Sequence, residues 1–400
     1  VAFEQVKDIS RGLRPLSSLE HPKELVRQFT PNWFAVTMGT GILALVLGQI
    51  AGAPDHVLWR VGHGLWLVNI GFFIVFAGLY GARWLFYGKE AQRIFGHNVV
   101  SMFIGAIPMG LSTLISGAVV FGVPSAPDWA PSIVQIAFGF WWLDVVMSVC
   151  CGAFIPYLMF TRQEHSIDQM TGVWLLPVVA AEVCAASGGV LAPHLASADW
   201  QFVTLVTSYA MWAYSVPVAF SILAILLLRL ALHKLPQDNM AASIWLALGP
   251  ISTGALGMLI MGNDAPAIFS PHGLALLGDV AHGGGILAAI VLWGCGLWWF
   301  MLANLITWRY FRKGIPFNLG WWGYTFPLGV FTLVTLKLAD VLDVLAFHYV
   351  GVLLACLLCA MWCVVFYKTV IGAWRGTLFV APCLTCRLPT DPPAPSAETP

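Results

Sequence analysis

The sequence predicts an all-α membrane protein: ten transmembrane helices, paired as five parallel helical hairpins around a central pore. Three observations lead there. The first is composition: of 400 residues, 59% are hydrophobic and only 10% charged, with a mean hydropathy of +0.82. A soluble domain carries about 25% charged residues, and so little charge cannot cover the surface of a soluble protein of this length. The second is the alternation of Lys and Arg between loops. The third is an internal repeat.

A spanning helix needs about 20 mostly apolar residues. Ten runs qualify, at 32–50, 61–80, 99–121, 132–160, 170–190, 202–230, 241–262, 275–303, 319–340 and 344–372. The last two are divided only by a short break at Lys337, Asp340 and Asp343. The chain therefore divides into an N-terminal segment (1–30), a membrane domain (31–375) and a tail (376–400). Residues 1–30 are polar, carry charges of both signs and do not read as a signal peptide. The tail (376–400) reads as cytoplasmic and disordered, its end being Pro-rich and without an apolar period.

Of the 19 Lys and Arg residues, 17 fall in the N-terminal segment, in alternate loops or at the C-terminal end. Only Arg60 and Lys337 fall on the other side. Cytoplasmic loops carry the Lys and Arg excess. The expectation is an even number of spans in the plasma (inner) membrane, with both termini cytoplasmic. Trp59, Trp129 and Trp200 then belong to the outer interface, and Trp84, Trp308, Trp321 and Trp374 to the inner one.

The odd-numbered runs carry the repeat. Pro108, Pro177, Pro250 and Pro327 follow one another at intervals of 69, 73 and 77 residues. Gly39 lies 69 residues before Pro108, so the stretch PNWFAVTMGTGI fills the same slot in the first run. Repeats of this kind build arrays of similar units. All five odd helices start on the same side, so the units are parallel and related by an axis along the membrane normal.

Small residues point to the odd helices as the inner ones. Run seven has 11 Gly, Ala, Ser or Thr among its 22 residues, whereas run ten has 6 among 29. Small residues permit close helix approach or leave room for a lumen, and prolines free carbonyls that a cavity or a neighbour must satisfy. The candidate wall is Thr37, Gly39, Thr40, Gly41, Pro108, Ser112, Thr113, Pro177, Pro250, Ser252, Thr253, Pro327 and Thr332. A hydroxyl-rich wall with few charges binds an ion weakly, which suits passage because an ion must leave as well as enter. Bent helices can also aim freed N–H groups at an anion.

Two acids lie near mid-membrane, Asp144 in run four and Glu182 in run five. Intramembrane acids are functional candidates by default, and a protonated Glu182 would couple anion movement to protons. Asp279 and His282 are placed to pair near the outer end of run eight.

Other chemistries find no support. Gly39, Gly41 and Ala44 match a dinucleotide-binding turn only superficially, because neither the preceding strand nor the acidic residue about 20 positions on is present. Zero net charge gives no pull toward nucleic acid. No HExxH occurs, His63 and His282 are isolated, and Cys383 with Cys386 forms a lone CxxC that lacks the further ligands a zinc site needs. Neither catalytic residues, metal nor cofactor is expected.

The motifs TPNWFAVTMGTGILAL and NLGWWGYTFPLGVFTL resemble the tellurite-resistance/dicarboxylate transporter family, over about residues 25–375. That group includes slow-type plant anion channels, fungal malate permeases and fungal sulfite efflux pumps. The resemblance implies ten helices in five hairpins around a pore, with the odd helices inside. It implies homo-oligomers, dimer or trimer, in which each protomer keeps its own pore. It also implies that the phenylalanine before the proline of helix nine, here Phe326, plugs the pore. The function so implied is transport of a small anion, either a C4-dicarboxylate such as malate or sulfite. A polytopic membrane enzyme would need a cluster of acids, histidines or cysteines on facing helices, and a receptor or scaffold would need a ligand-binding or signalling domain.

Overall fold

A computed structural model describes residues 15–385. Its ten long apolar helices are α1 (Pro31–Ala51), α2 (Val57–Phe86), α3 (Val100–Ser125), α4 (Pro127–Thr161), α5 (Gly172–His194), α6 (Ala198–His233), α7 (Asp238–His272), α8 (Ala275–Phe311), α9 (Leu319–Leu342) and α10 (Leu345–Arg375). Each falls on one of the expected runs. Lengths of 21 to 37 residues suffice to cross a bilayer.

Odd and even helices differ in burial. In their most apolar stretch, the odd helices are 72–94% buried and the even ones 17–33%. Helix α1 packs on α3, α3 on α5, α5 on α7, α7 on α9, and α9 back on α1, which closes an inner ring of five. Each even helix lies over the seam between two inner ones: α2 on α1 and α3, α4 on α3 and α5, α6 on α5 and α7, α8 on α7 and α9, α10 on α9 and α1. Outward side chains such as Leu85, Phe160, Leu276 and Leu353 are exposed, as lipid-facing positions should be.

The odd helices are also built differently. Each opens with a 3-10 turn before its α-helical body, as at Pro31–Trp33 in α1, Val100–Gly105 in α3, Gly172–Leu175 in α5, Asp238–Met240 in α7 and Leu319–Tyr324 in α9. Pro108, Pro177, Pro250 and Pro327 fall within the first three residues of the α segments that follow. There a missing N–H costs little, because the first N–H groups of an α-helix have no intrahelical partner. Pro108, Pro177 and Pro327 thus mark 3-10-to-α junctions, while Pro250 opens the second α segment of α7, just after the short helix Ser243–Leu246; none of the four bends the middle of an α segment. The ring is tight at this level. A Cβ on Gly105 of α3 would stand 2.3 Å from the Leu176 carbonyl oxygen of α5, and one on Gly172 would stand 2.1 Å from that of Ser243 in α7.

A second repeat holds the outer ring to the inner one. Trp66 of α2 donates its indole N–H to Leu114 O of α3 (3.1 Å), Trp141 of α4 to Cys184 O of α5 (3.1 Å), and Trp212 of α6 to Gly254 O of α7 (3.0 Å). Trp293 of α8 donates to Thr335 Oγ1 of α9 (2.9 Å), and Trp362 of α10 to Thr40 Oγ1 of α1 (3.2 Å), closing the circle. Every hairpin therefore clasps the inner helix of the next. A buried indole N–H needs such a partner where water is absent.

Of the tryptophans expected at the membrane faces, Trp129, Trp200, Trp308 and Trp374 are exposed. Trp59 and Trp321 are buried instead, Trp59 against Phe121, and Trp321 donating to Pro316 O at 3.0 Å. Residues 376–385, expected as the start of a disordered tail, pack back on the bundle. Phe379 stacks on Trp33, and Cys383 lies buried where Arg83 donates to its Sγ (3.5 Å) and Arg93 to its carbonyl (3.0 Å). Cys386 and the rest of the Pro-rich tail lie outside the described residues.

Candidate functional site

The inner ring encloses two cavities on either side of one aromatic ring. The larger, of about 980 Å³, lies toward the end where the odd helices finish; the smaller, of about 440 Å³, lies where they begin. Among the described residues, Phe326 is the one side chain that lines both. It sits two residues into the α segment of α9, beside Pro327, and is 4% exposed.

Each inner helix gives the larger cavity one face, at helical spacing. Helix α9 contributes Phe326, Val330, Leu333 and Lys337, and α1 contributes Ile42, Leu45 and Gln49. Helix α3 contributes Ser112, Thr113 and Ser116, α5 Val183, Ala186 and Ser187, and α7 Thr253, Leu256 and Ile260. These positions follow the three-to-four residue period of one helix face. The wall between Phe326 and Leu333 is apolar with scattered hydroxyls. Charge is confined to the mouth, where Asp264, Asp340 and Lys337 meet His194 and His282, and Gln49 donates to Asp340 Oδ2 at 2.6 Å. Lys337 is the only Lys or Arg on either cavity among the described residues.

The smaller cavity is lined by Met38, Ala106, Leu176 and Leu246, and is roofed by Thr377, Leu378 and Val380 of the packed C-terminal segment. Its only titratable lining group among the described residues is His97. The Nδ1 of His97 accepts from the backbone N–H groups of Val99 (3.2 Å) and Val100 (3.3 Å). Burial holds this imidazole below its usual range, so it is neutral at neutral pH.

Four of the sequence-predicted residues meet at the larger cavity: Ser112, Thr113, Thr253 and Phe326. The others line neither cavity and serve helix contacts. Thr37 donates to Phe34 O (2.7 Å), and Thr332 to Leu328 O (2.7 Å). Gly39 faces Trp322 and Thr325, Gly41 faces Thr113 and Asn69, and Thr40 receives Trp362. Ser252 is buried without a hydrogen-bond partner. Pro108, Pro177, Pro250 and Pro327 are the helix-start prolines described above.

Glu182 is fully buried beside Ser215 of α6, and its carboxyl reaches neither cavity. Asp144 of α4, also fully buried, accepts a hydrogen bond from Ser112 Oγ at 2.5 Å and so stands one side chain behind the cavity wall. The expected Asp279–His282 pair does not form: His282 Nδ1 lies 3.3 Å from Gly262 O, and Asp279 is exposed. The missed wall residues were legible in one respect, since stepping from Phe326 by four, seven and eleven residues gives Val330, Leu333 and Lys337.

Ten spans around a buried ring, with axial cavities that hold hydroxyls and little charge, define a polytopic membrane protein with room along its axis for small solutes. The chain belongs to the voltage-dependent anion channel (SLAC1) family, whose model matches residues 28–370. It is 34% identical over 360 residues to the sulfite efflux pump of Arthroderma otae, covering 88% of this chain and 93% of that one. It is 27% identical over 365 residues to an uncharacterized transporter of Methanocaldococcus jannaschii (91% and 99% covered). It is also 24% identical over 356 residues to the malic acid transport protein of Schizosaccharomyces pombe (86% and 78% covered). It is accordingly an integral membrane protein of an anion-transport family.

Proposed function

We propose that the chain passes small anions along the axis of the inner ring, with sulfite the first candidate and malate the second, and that Phe326 is the constriction. The observation that carries this reading is the position of Phe326 between two cavities that share no other described residue. An aromatic side chain in an apolar neck opposes passage by excluding water. Ser112, Thr113 and Thr253 are the proposed polar wall, and Lys337 offsets part of the negative charge that Asp264 and Asp340 put at the mouth. The order of substrates follows the relatives, since the sulfite pump shares more of this sequence than the malate transporter does.

The distribution of Lys and Arg, 17 against two, supports an orientation with both termini cytoplasmic in the plasma (inner) membrane. On that orientation the smaller cavity opens to the cytoplasm. The apolar outer faces of the even helices leave room for a dimer or trimer of protomers, each with its own passage. Reconstitution into liposomes with parallel flux of sulfite, malate and chloride tests the reading. Sulfite flux above that of protein-free vesicles is expected, and absence of flux for all three anions would overturn it.

A further inference from the structure

The hydroxyls of the larger cavity differ in what they can offer an anion. Thr113 donates its hydrogen to Gly110 O (2.8 Å) and Ser187 to Cys184 O (2.9 Å), so neither has its hydrogen free for an anion. Thr253 Oγ1 has no partner and is free to donate. Ser112 is the exception, because its partner is a carboxyl group. Its Oγ lies 2.5 Å from Asp144 Oδ2, while Asp144 Oδ1 has no hydrogen-bond partner.

Asp144 is 0% exposed, and no Lys, Arg or His pairs with it among the described residues. The groups facing it are Ser112 from α3, Cys184 from α5 and Ser148 one turn along α4. Helix α3 therefore places a cavity-lining hydroxyl directly in front of an isolated buried acid. Only one of the two groups can donate across this bond at a time. When Asp144 is ionised, Ser112 must donate to it, and a negative charge stands one side chain behind the wall. When Asp144 is protonated, the carboxyl donates to Ser112 Oγ. The serine hydrogen is then released toward the cavity, and the charge is gone.

We propose that the Ser112–Asp144 pair makes anion binding in the larger cavity depend on one proton, with Asp144 setting the donor direction of Ser112. This rests on the anion-transport reading above. Both consequences of protonation favour an anion: a donor is gained and a like charge is lost. By linkage, an anion in the cavity must pull a proton onto Asp144 as strongly as that proton favours the anion. Asp144 is a positioning residue in this scheme, and Ser112 is the group that touches the anion. The carboxylates Asp264 and Asp340, with Lys337, His194 and His282, stand at the mouth unchanged in every variant. The difference between variants therefore isolates Asp144.

The test uses the full chain and chloride, which keeps its charge at every working pH. In liposomes at low chloride, wild-type flux should rise roughly tenfold from the alkaline to the acid arm, the worth of one hydrogen bond to a charged group. Asp144→Asn should hold the acid-arm flux at all pH values, because its amide donates to Ser112 permanently. Ser112→Ala should lower the acid-arm flux roughly tenfold and shrink the pH response to the part that comes from the charge on Asp144. In weakly buffered detergent solution, added chloride should cause proton uptake by the wild type and none by Asp144→Asn. A folded Asp144→Asn protein with the wild-type pH profile would overturn the proposal, as would Ser112→Ala with the profile intact. Should Asp144→Asn not fold, Ser112→Ala and wild-type proton uptake decide alone. Wild-type proton uptake without flux would overturn the transport reading and support the coupling. Flux without pH dependence or uptake would do the reverse.

Discussion

Replacing Phe326 by alanine separates a gate from a packing residue. Among the described residues, the ring is the one side chain common to the cavities of about 980 and 440 Å³. Its removal joins them into one passage through the inner ring. In a close-packed soluble core, Phe→Ala costs about 3–5 kcal/mol. Phe326 looks onto open volume on two sides and forfeits fewer contacts, so its cost should fall below that range. The transport effect has the opposite sign. If the ring adds even about 1.4 kcal/mol to the barrier, its loss speeds passage about tenfold. The assay is anion efflux from liposomes carrying equal amounts of monodisperse wild-type and Phe326→Ala protein, with Phe326→Leu as an intermediate. Flux should rise roughly tenfold for alanine and less for leucine. A folded Phe326→Ala chain with wild-type or lower flux refutes the reasoning and makes Phe326 a packing residue.

Lys337→Ala should raise the anion concentration at half-maximal flux several-fold, most clearly at low salt, because Asp264 and Asp340 at the mouth lose the one Lys or Arg that lines either cavity among the described residues; initial rates across a concentration series check this. Trp362→Phe deletes the indole donor to Thr40 that closes the ring. It should cost about 1 kcal/mol, read as a lowered unfolding midpoint in detergent with the other four clasps intact. Burial holds His97 below its ordinary value, so as pH falls through about 6.5 the unfolded chain takes up the proton first. Its contribution to stability is therefore lost on acidification, and His97→Asn should flatten the acid side of a thermal-stability profile between pH 7 and 5.

The sequence exposed the two-ring plan because lipid imposes a compositional rule. Outer helices are bulky and apolar all round, whereas inner ones need small residues to approach. The same rule hid the wall. Gly39, Thr40 and Gly41 look like a polar lining, yet they are small because Trp322, Trp362 and Thr113 press on them. Small residues at a helix contact and small residues at a cavity are alike in sequence. The larger cavity is lined largely by apolar residues such as Ile42, Val183, Leu256 and Val330, which read as ordinary membrane residues. The proline period was legible, but its meaning was not, since a proline that starts an α segment and one that bends it occupy the same letter. The tryptophan repeat at 66, 141, 212, 293 and 362 was equally available. Only the hydrogen bonds from one hairpin to the next reveal it as structural. Asp144 stood out as a mid-membrane acid, whereas its pairing with Ser112 joins two helices and needed coordinates.

The central claim is that anions travel along the axis of the inner ring. The most direct measurement places a cysteine at Val330, on the wall of the larger cavity one turn beyond Phe326, in a chain whose exposed cysteines, such as Cys150, Cys295, Cys356 and Cys363, are replaced. A small anionic methanethiosulfonate reagent is then applied during efflux, and the extent of modification is followed by mass. The account predicts that flux falls as Val330→Cys is modified, and that the permeant anion slows the modification. Complete modification with flux unchanged would contradict it.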